Sequence, residues 1–584
     1  MKYYLATTAI SDIWDEEREL LVLGPWCLTG TGRKKILRYK NYTIIDSPWR
    51  PSFRVKEAED YCRALYEKTM PLLSKAMNSI HGVDHPDRYW RILVGPWLVF
   101  FIEVFYDRYR RIENAIALYP DLYTHTIPAE GINIACNDMR DFLAAKGGAI
   151  DDFYNLKLFS HIVHNLCPER SVNIDIKNAV EDVKTDVEKQ GFKAVMENVL
   201  KNIKMLFRSP SVILTDMYHI APSQSYALMA GSRGRVMFGN FKQTPRADLS
   251  GAYSAEIREK IGLGRGQDAF HELLCRTIPL AIPSCYVEDY KIYKSNVGAK
   301  RPVKYIGSAV GWYFNDIFKF FAAESLLGGA TLLDFQHGGG YGVSLSFPAE
   351  GISMEKDIFY TWGWVADDGK KTKPLPSPYL SRLKNSHKPV DNSILFVSNS
   401  IYKYHVGFHS FLSPDDMPKY HEDKKIFFNS LDKRLLDKVI YRPYPIDRWE
   451  ELEALKRSIP RLKLLQSSKL VDKMKGSRLV VIDHLSTPFI EALTINVPCI
   501  CFWDHDVTLI RPKANKYFEM MREAGILYDN PRDAARRVNE IYDNVESWWR
   551  GDKIQMLKDE LCSKFALTSG DWLAEWKEEL CSRE

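Results

Sequence analysis

The second half of the chain alternates short apolar runs with longer amphipathic segments. The runs Ser393–Val397, Val439–Tyr441, Leu479–Ile482 and Pro498–Phe502 each lead into a polar loop and a helical pattern. Apolar runs of this length are typical of strands that are buried on both faces. Their alternation with helices predicts a parallel sheet that is covered by helices on both sides. A smaller strand and helix over 526–545 end this predicted sheet.

The first half of the chain has a less regular pattern. Short apolar runs at 19–23, 212–215 and 331–335 predict strands, and residues 52–80 and 87–118 have helical periodicity. These elements predict an α/β domain that carries helical insertions.

A polar, proline-rich stretch over 370–392 has little periodicity and predicts a linker. We therefore expect an α/β protein with two domains. The expected parts are an N-terminal α/β domain (1–375), a linker (376–392), a Rossmann-like domain (393–545) and C-terminal helices that pack back across the domains (546–584).

The predicted strand Thr331–Phe335 ends at Gln336 and His337, and three glycines follow. A strand holds such a polar pair rigidly, and glycines let the backbone approach a ligand closely. We expect His337 to serve as a general base or a phosphate donor, with Gln336 to orient it. An isolated His-Gly pair is more often a plain turn, and the predicted sheet around it favours the functional interpretation.

Several carboxylates follow predicted strands or apolar runs and are candidate catalytic groups. Asp216 ends the predicted strand 212–215, Glu288 follows a proline-bounded apolar run, and Glu355 lies beyond the glycine run. Group transfer to a hydroxyl needs a base, and a covalent mechanism also needs a nucleophile. The sequence does not assign either role to one of these carboxylates, and most of them are expected to be structural.

The segment after Leu479–Ile482 predicts an anion site. Ser486 or Thr487 can cap a helix that begins at Pro488, and a helix start offers free N–H groups to an anion. Ser398 and Asn399 follow a neighbouring strand of the same predicted sheet. Arg442 follows a third strand, in a proline-stiffened loop, and arginine suits bidentate phosphate recognition.

Composition narrows the function classes. The chain has 584 residues, of which 45% are hydrophobic and 27% charged, and a formal net charge of +5. A mildly basic protein suits phosphorylated ligands or an anionic membrane surface, and does not favour duplex nucleic acid. The ten scattered cysteines predict reduced thiols, a cytoplasmic protein and no zinc site.

The ends and apolar stretches of the chain bear on its location. The N-terminus has acidic residues where a signal peptide would carry its cleavage region. The longest apolar stretch, Ile92–Val104, is too short to span a bilayer, so we expect at most peripheral contact with the cytoplasmic face of the membrane. The sequence has no credible DxD metal cluster, Walker A loop or GxSxG elbow, which disfavours metal-dependent transfer, nucleotide hydrolysis and serine hydrolysis.

Several short motifs are spread over nearly the whole chain. They are Leu23–Cys27 (LGPWC), Arg88–Leu98 (RYWRILVGPWL), Tyr106–Tyr109 (YDRY), Gln336–Gly342 (QHGGGYG), Thr361–Trp364 (TWGW) and Arg442–Pro445 (RPYP). This series resembles bacterial transferases of surface-carbohydrate and O-antigen biosynthesis. A looser similarity connects it to capsule Kdo transferases and teichoic-acid polymerases, although Tyr444 stands where those have histidine.

The resemblance implies a GT-B fold, with two Rossmann-type domains facing a cleft and no bound metal. It also implies a glycosyltransferase that needs no cofactor beyond its nucleotide-sugar co-substrate. The donor would bind in the C-terminal domain, with a CMP-activated acidic sugar (Kdo or a nonulosonate) preferred. A glycan or lipid-linked glycan acceptor would bind in the N-terminal domain. Two alternatives stay open: a polyol-phosphate transferase of the teichoic type, and a non-catalytic glycan-binding or assembly protein, which the many aromatic residues suit equally well.

Overall fold

The computed structural model describes residues 1–144, 146–174, 210–242, 253–297, 303–366, 369, 371–465 and 469–582. Within these ranges the strands form three sheets in which every pairing is parallel. The strands are β1 (Tyr3–Ala6), β2 (Glu19–Val22), β3 (Tyr42–Ile44), β4 (Leu122–Thr126), β5 (Ser171–Asn173), β6 (Val212–Thr215), β7 (Val236–Phe238), β8 (Tyr305–Ser308), β9 (Thr331–Phe335), β10 (Ile358–Thr361), β11 (Thr372–Pro374), β12 (Ile394–Val397), β13 (Val439–Arg442), β14 (Lys463–Leu464), β15 (Leu479–Ile482), β16 (Cys499–Phe502) and β17 (Leu527–Tyr528).

The third sheet has the order β14-β13-β12-β15-β16-β17. Numbered along the chain this is 3-2-1-4-5-6, the order of a Rossmann fold. Its central strands β12, β15 and β16 are buried at every position, because helices cover both faces. The register pairs Leu395 with Val480 and Val481 with Ile500.

The second sheet has the order β7-β6-β8-β9-β10-β11. This is 2-1-3-4-5-6 along the chain, a doubly wound order that also reverses direction near its centre. Gly307 of β8 lies beside Leu333 of β9, and a Cβ on this glycine would approach the Phe335 ring to 2.7 Å. Glycine at this position therefore lets the aromatic side chains of β9 fill the core.

The first sheet, β3-β2-β1-β4-β5, also lies within the N-terminal half. The sequence predicted one domain with helical insertions over residues 1–375, whereas the described residues there form two parallel sheets. The reason is that the edge strands give little apolar signal: all three residues of β3 are exposed, and β5 is also largely exposed. The strand of this sheet that the sequence did predict is β2, which has a short buried run.

Helices surround and connect the sheets. The α-helices span Gly30–Lys35, Phe53–His81, Asp87–Leu93, Gly95–Leu118, Met139–Phe142, Asp152–Leu166, Pro222–Gly231, Ala255–Glu259, Ala269–Ala281, Tyr290–Val297, Gly311–Phe314, Asp316–Leu327, Pro348–Met354, Pro378–Leu383, Met417–Ser430, Lys433–Leu436, Glu451–Ser458, Leu470–Gly476, Thr487–Ile495, Pro512–Glu523, Pro531–Ile541, Val545–Trp549, Asp552–Phe565 and Trp572–Cys581. Short 3-10 helices span Ser11–Ile13, Pro25–Leu28, Ile36–Arg38, Ala129–Gly131, Pro168–Arg170, Ser284–Tyr286, Pro414–Asp416 and Tyr542–Asn544.

The last helices return to the second sheet. Trp576 stacks on Phe335 of β9 with ring centroids 5.2 Å apart, and its indole N–H donates to the Pro376 carbonyl at 2.8 Å. The segment predicted as a linker includes the helix Pro378–Leu383, whose residues Tyr379, Leu380 and Leu383 are buried. This part of the chain is therefore packed between the two larger sheets and their helices.

The carboxyl ends of the second and third sheets meet. The Gly339 amide, just after β9, donates to Thr487 Oγ1 just after β15 at 3.2 Å. Ser344 and Ile510 form an antiparallel bridge nearby. The predicted α/β fold with two Rossmann-type sheets facing a cleft is thereby confirmed.

One further prediction concerned membrane spans. Among the described residues, no single helix has the length and apolar composition to cross a bilayer. The bent pair Asp87–Leu93 and Gly95–Leu118, with 64° between its helices, meets that test only when both helices are taken together.

Candidate functional site

A cavity lies at the carboxyl ends of β12, β15 and β16. The strand order of the third sheet reverses between β12 and β15, and ligands of open α/β sheets bind at such a switch point. We call this cavity the switch-point pocket. It is lined by Asn399, Phe411, Leu412, Asp416, Lys419, Tyr420, Asp423, Asp483, His484, Leu485, Phe502, Trp503, Asp504, Val507 and Thr508.

A histidine and a carboxylate form a pair in the wall of this pocket. His484 Nδ1 lies 2.8 Å from Asp483 Oδ1, and Tyr420 donates its hydroxyl to the same oxygen at 2.7 Å. Among the described residues His484 Nε2 has no hydrogen-bond partner. A carboxylate that fixes Nδ1–H leaves Nε2 able to accept a proton, which is the arrangement of an oriented general base.

Tyr420 joins the two loops across the switch point. Its hydroxyl oxygen accepts the Asn399 amide at 2.9 Å and lies 3.2 Å from Ser398 Oγ, while its proton goes to Asp483. Burial raises the pKa of Tyr420, so the hydroxyl stays a donor at neutral pH. The helix Met417–Ser430, which carries Tyr420, thus sets the position of Asp483.

Behind this pair lies a buried charge network. Asp483 Oδ2 is buried without a hydrogen-bond partner and lies 4.0 Å from Lys424 Nζ. Lys424 also pairs with Glu451, and its ammonium lies 3.7 Å from the centre of the Tyr420 ring. A buried carboxylate without a cation nearby would be strongly destabilised, so the Lys424 ammonium stabilises the buried Asp483–Glu451 cluster.

A larger cavity of 310 Å³ adjoins the switch-point pocket and shares Asn399, Phe411 and Leu412 with it. Phe100, Leu143 and Phe314 of the N-terminal half line its other wall, against loops that follow β12 and β13. This volume lies in the usual range for small-ligand sites. The two cavities together form a cleft between the halves of the chain.

The predicted anion site at the helix Thr487–Ile495 is covered in this structure. Ser486 is the N-cap, and its Oγ is buried without a hydrogen-bond partner. A Cβ on Gly339 would lie 3.2 Å from the Ser486 carbonyl, and the Gly339 amide bonds to Thr487. An anion reaches this helix start only if the glycine turn moves away.

Gln336 has a structural role that differs from the predicted one. Its Oε1 accepts hydrogen bonds from the Trp362 amide at 2.7 Å and Trp364 Nε1 at 2.9 Å. Its Nε2 donates to the Gly338 carbonyl at 2.8 Å. The side chain is 3% exposed, shapes the glycine turn and lines a small cavity beside Trp362.

His337 is packed into the second sheet domain. Its ring lies edge-on to Tyr313 and Tyr341, the Tyr341 hydroxyl is 3.2 Å from Nδ1, and the ring also bonds to the Ala309 backbone. His337 does not line either of the cavities described above. Of these two histidines, only His484 lines the switch-point pocket.

The burial of His337 predicts a pH dependence of stability. Burial lowers the pKa of His337 to about 4, below the usual 6.5. Between these values only the unfolded chain takes up the proton, so stability falls as the pH drops from 6.5 to 4. For His337→Gln, we expect the loss of unfolding free energy between pH 7 and pH 5 to be about 2 kcal/mol smaller than in the wild type, as measured by denaturant titration.

The controls for this prediction are other histidines of the chain. Burial also lowers the pKa of His81 and His161 to about 4, so the variant keeps part of the slope. His505 is exposed on the loop after β16, and His505→Gln should leave the slope unchanged. An identical pH profile for His337→Gln and the wild type would contradict the prediction.

The predicted carboxylates lie in different places. Glu288 accepts two hydrogen bonds from Arg258, at 2.8 and 2.9 Å, in a buried ion pair, which is the arrangement of a structural carboxylate. Glu355 accepts the Tyr66 hydroxyl at 2.6 Å and lines a small cavity on the helix Phe53–His81. Asp216 is exposed at the end of β6, accepts Asn315 Nδ2 at 3.0 Å and has a φ of 46°.

The predicted phosphate ligands of the third sheet are only partly brought together. Asn399 lines both cavities, and Ser398 lies beside it on the Tyr420 hydroxyl. The Arg442 guanidinium bonds to the neighbouring Pro443 carbonyl, and Arg442 lines neither cavity. Tyr444 is 41% exposed and lines the larger cavity.

The sequence interpretation missed Asp483, His484 and Tyr420 as site residues. The signal for the first two was present, because they are the first residues after a fully apolar strand of the predicted sheet. Tyr420 gives no such signal, because its contact with Asp483 joins residues 63 positions apart. Among the described residues no group of three or more His, Cys, Asp or Glu could hold a metal ion, and the ten cysteines are free thiols.

Two Rossmann-type sheets with facing carboxyl ends and a cleft between them define the GT-B class of α/β proteins. The sequence model of the LIC12162 family transferases matches residues 3–580 of this chain. The chain therefore belongs to this family of transferases. No curated protein matches the chain.

Solved structures with a similar fold were also found. S. aureus MnaA with UDP has a TM-score of 0.36 and 10% identity, over 64% of this chain and 97% of that one. MurG of Acinetobacter baumannii has a TM-score of 0.30 and 11% identity, over 64% and 100%. A UDP-glucosyltransferase from Polygonum tinctorium has a TM-score of 0.31 and 10% identity, over 64% and 98%. At these low scores the fold rests on the strand order alone.

Proposed function

We propose that this chain is a glycosyltransferase that moves a sugar from a nucleotide donor to a glycan acceptor. The observation that carries the proposal is an oriented histidine–carboxylate pair at the switch point of a Rossmann-ordered sheet. His484 takes the proton of the acceptor hydroxyl, and Asp483 holds the imidazole and stabilises the cation that forms.

The donor lies over the carboxyl ends of β12 and β15. Asn399 and Trp503 contact the nucleoside, since both line the pocket and an aromatic ring suits stacking against a base or a sugar. Phosphates reach Ser486 and Thr487 when the glycine turn leaves the helix start. The unpartnered Ser486 hydroxyl supports this step, because a buried polar group gains free energy from a new partner.

The two candidate donors differ in the charge of the sugar, which is either acidic or neutral. The resemblance to surface-carbohydrate transferases supports a CMP-activated acidic sugar, in a reaction of O-antigen or capsule synthesis at the cytoplasmic face of the membrane. The pocket, however, is lined by four carboxylates (Asp416, Asp423, Asp483 and Asp504) and one lysine, Lys419. Carboxylates accept hydrogen bonds from hydroxyl groups and repel anions, which favours a neutral sugar at this position.

Nucleotide binding tests the proposal. We expect CMP, CDP, UDP or GDP to raise the melting temperature by about 2–4 °C at saturation, because a ligand that binds only the folded chain stabilises it. Asn399→Ala should weaken the binding of the stabilising nucleotide roughly tenfold, because contacts in the pocket are lost. Asn165→Ala, an exposed asparagine outside the cleft, is the matched control.

The outcomes separate the alternatives. Stabilisation by none of the four nucleotides would favour a glycan-binding protein without catalysis. Product mass with a glycan acceptor then identifies the group that is moved, because a polyol-phosphate transferase adds phosphorus and a glycosyltransferase adds only a sugar.

A further inference from the structure

A second large cavity lies between the halves of the chain, and it has the opposite charge to the switch-point pocket. It encloses 630 Å³ and is walled by the helix Phe53–His81, the end of the glycine loop, the start of the helix Pro512–Glu523 and the end of the helix Asp552–Phe565. We call it the basic cleft. Its charged lining residues are five cations, Lys56, Arg63, Arg511, Lys513 and Lys564, and one carboxylate, Glu59.

Two of these cations face the cleft without a partner. Arg63 and Lys564 are exposed, and neither makes a hydrogen bond or an ion pair with any other residue described by the structure. Arg63 lies flat against the helix Pro348–Met354, where a Cβ on Gly351 would approach its Nη2 to 2.3 Å. An unpaired guanidinium that is placed by packing is ready to bind an anion.

The other cations are held in place by the protein. Arg511 bonds to Glu350 at 2.7 Å and to the Ser344 carbonyl at 2.8 Å, which fixes it at the junction of the two sheets. Lys56 pairs with Glu59 at 3.3 Å. Trp364 and Tyr517 also line the cleft, and both are largely buried, at 6% and 4% exposed. The charged side chains of the lining therefore provide its anion recognition.

We propose that the basic cleft binds the phosphate or pyrophosphate group of an anionic glycan acceptor. This proposal rests on the proposed transferase function, because it assigns the acceptor of that reaction. The charge of the lining is its main argument, because five cations and one carboxylate attract an anion to the basic cleft. Its volume suits a sugar phosphate or a disaccharide phosphate.

Calorimetry with inorganic pyrophosphate and no nucleotide tests the proposal on the full-length protein. We expect binding that weakens as NaCl is raised, since salt screens exposed charges. Arg63→Ala and Lys564→Ala should each weaken it roughly tenfold, because each removes a charge-assisted hydrogen bond. Lys433→Ala, an exposed lysine on the helix Lys433–Leu436, is the matched control and should bind like the wild type.

Competition distinguishes an acceptor site from a part of the donor site. Saturating amounts of the nucleotide that stabilises the protein should leave pyrophosphate binding unchanged, and Arg63→Ala should raise the KM for a phosphorylated acceptor without changing the KM for the donor. Displacement of pyrophosphate by the nucleotide would overturn the proposal, as would the absence of pyrophosphate binding or wild-type affinity for pyrophosphate in both alanine variants. Nucleotide binding is measured separately, so failure here and failure of the proposed function are distinguishable.

Discussion

His484→Ala is expected to lower the rate of sugar transfer by about 10²–10⁴-fold, the usual contribution of a general base. The imidazole is the group in the switch-point pocket that combines an oriented Nδ1 with an Nε2 free of partners in the described part of the chain. The thermal shift with nucleotide should be kept, because the substitution removes the base and leaves the walls around Asn399 and Trp503. Initial rates with donor and acceptor at saturation measure the effect.

Two further variants make this test specific. Asp483→Asn keeps the shape of the carboxylate but cannot stabilise the imidazolium, so its rate should lie between those of the wild type and His484→Ala. His505→Ala removes an exposed histidine from the next loop and should keep the full rate. Wild-type turnover in His484→Ala would remove this residue from the mechanism.

The same assay compares the two candidate bases. The sequence favoured His337, because a histidine before a glycine run at a strand end is typical of a site. In the structure its ring is enclosed by Tyr313 and Tyr341 and bonded to Ala309. Since a buried polar group that loses its partner is destabilising, a substitution there acts first on folding.

The sequence predicted the three central strands of the third sheet because these strands are apolar at every position. β12, β15 and β16 lie where the runs SILFV, LVVI and PCICF predicted them. β3 and β5 could not be predicted in this way, because edge strands expose their side chains and lose the apolar signal.

Contacts between distant residues account for what the sequence could not predict at the site. The helix start at Thr487 follows from a serine, a threonine and a proline in a row, and the structure has it there. That the Gly339 turn covers this start depends on residues 148 positions away. The ion pair of Glu288 with Arg258 is likewise a product of packing, so a free carboxylate and a paired one look alike in the sequence.

The joint between the two halves depends on a buried charge network. Asp107 accepts hydrogen bonds from Trp49 at 2.6 Å and from Arg108 and Arg111, each at 2.9 Å. Arg111 continues to Asp415 of the C-terminal half, with bonds of 2.7 and 3.1 Å. Arg108 donates to the His405 carbonyl at 2.6 Å. One carboxylate of the N-terminal half thus holds two arginines that bind the other half.

Asp107→Ala is expected to destabilise the protein by about 3–5 kcal/mol, the usual effect of removing one partner from a buried ion pair. Arg108 is 0% and Arg111 1% exposed, so neither guanidinium can turn to water when the carboxylate is lost. Arg111 would still pair with Asp415 in this variant. The Arg111 guanidinium holds the pKa of Asp415 well below its usual range. Denaturant unfolding at pH 7 measures the loss.

Two comparisons decide whether the charge is the cause. Asp107→Asn keeps the shape and some of the hydrogen bonds but leaves the arginines uncompensated, so it should lose more than half as much stability as the alanine variant. Asp84→Ala removes an exposed aspartate and should change stability by less than about 0.5 kcal/mol. A loss below about 1 kcal/mol in Asp107→Ala would mean that solvent reaches the arginines and that other contacts hold the halves together.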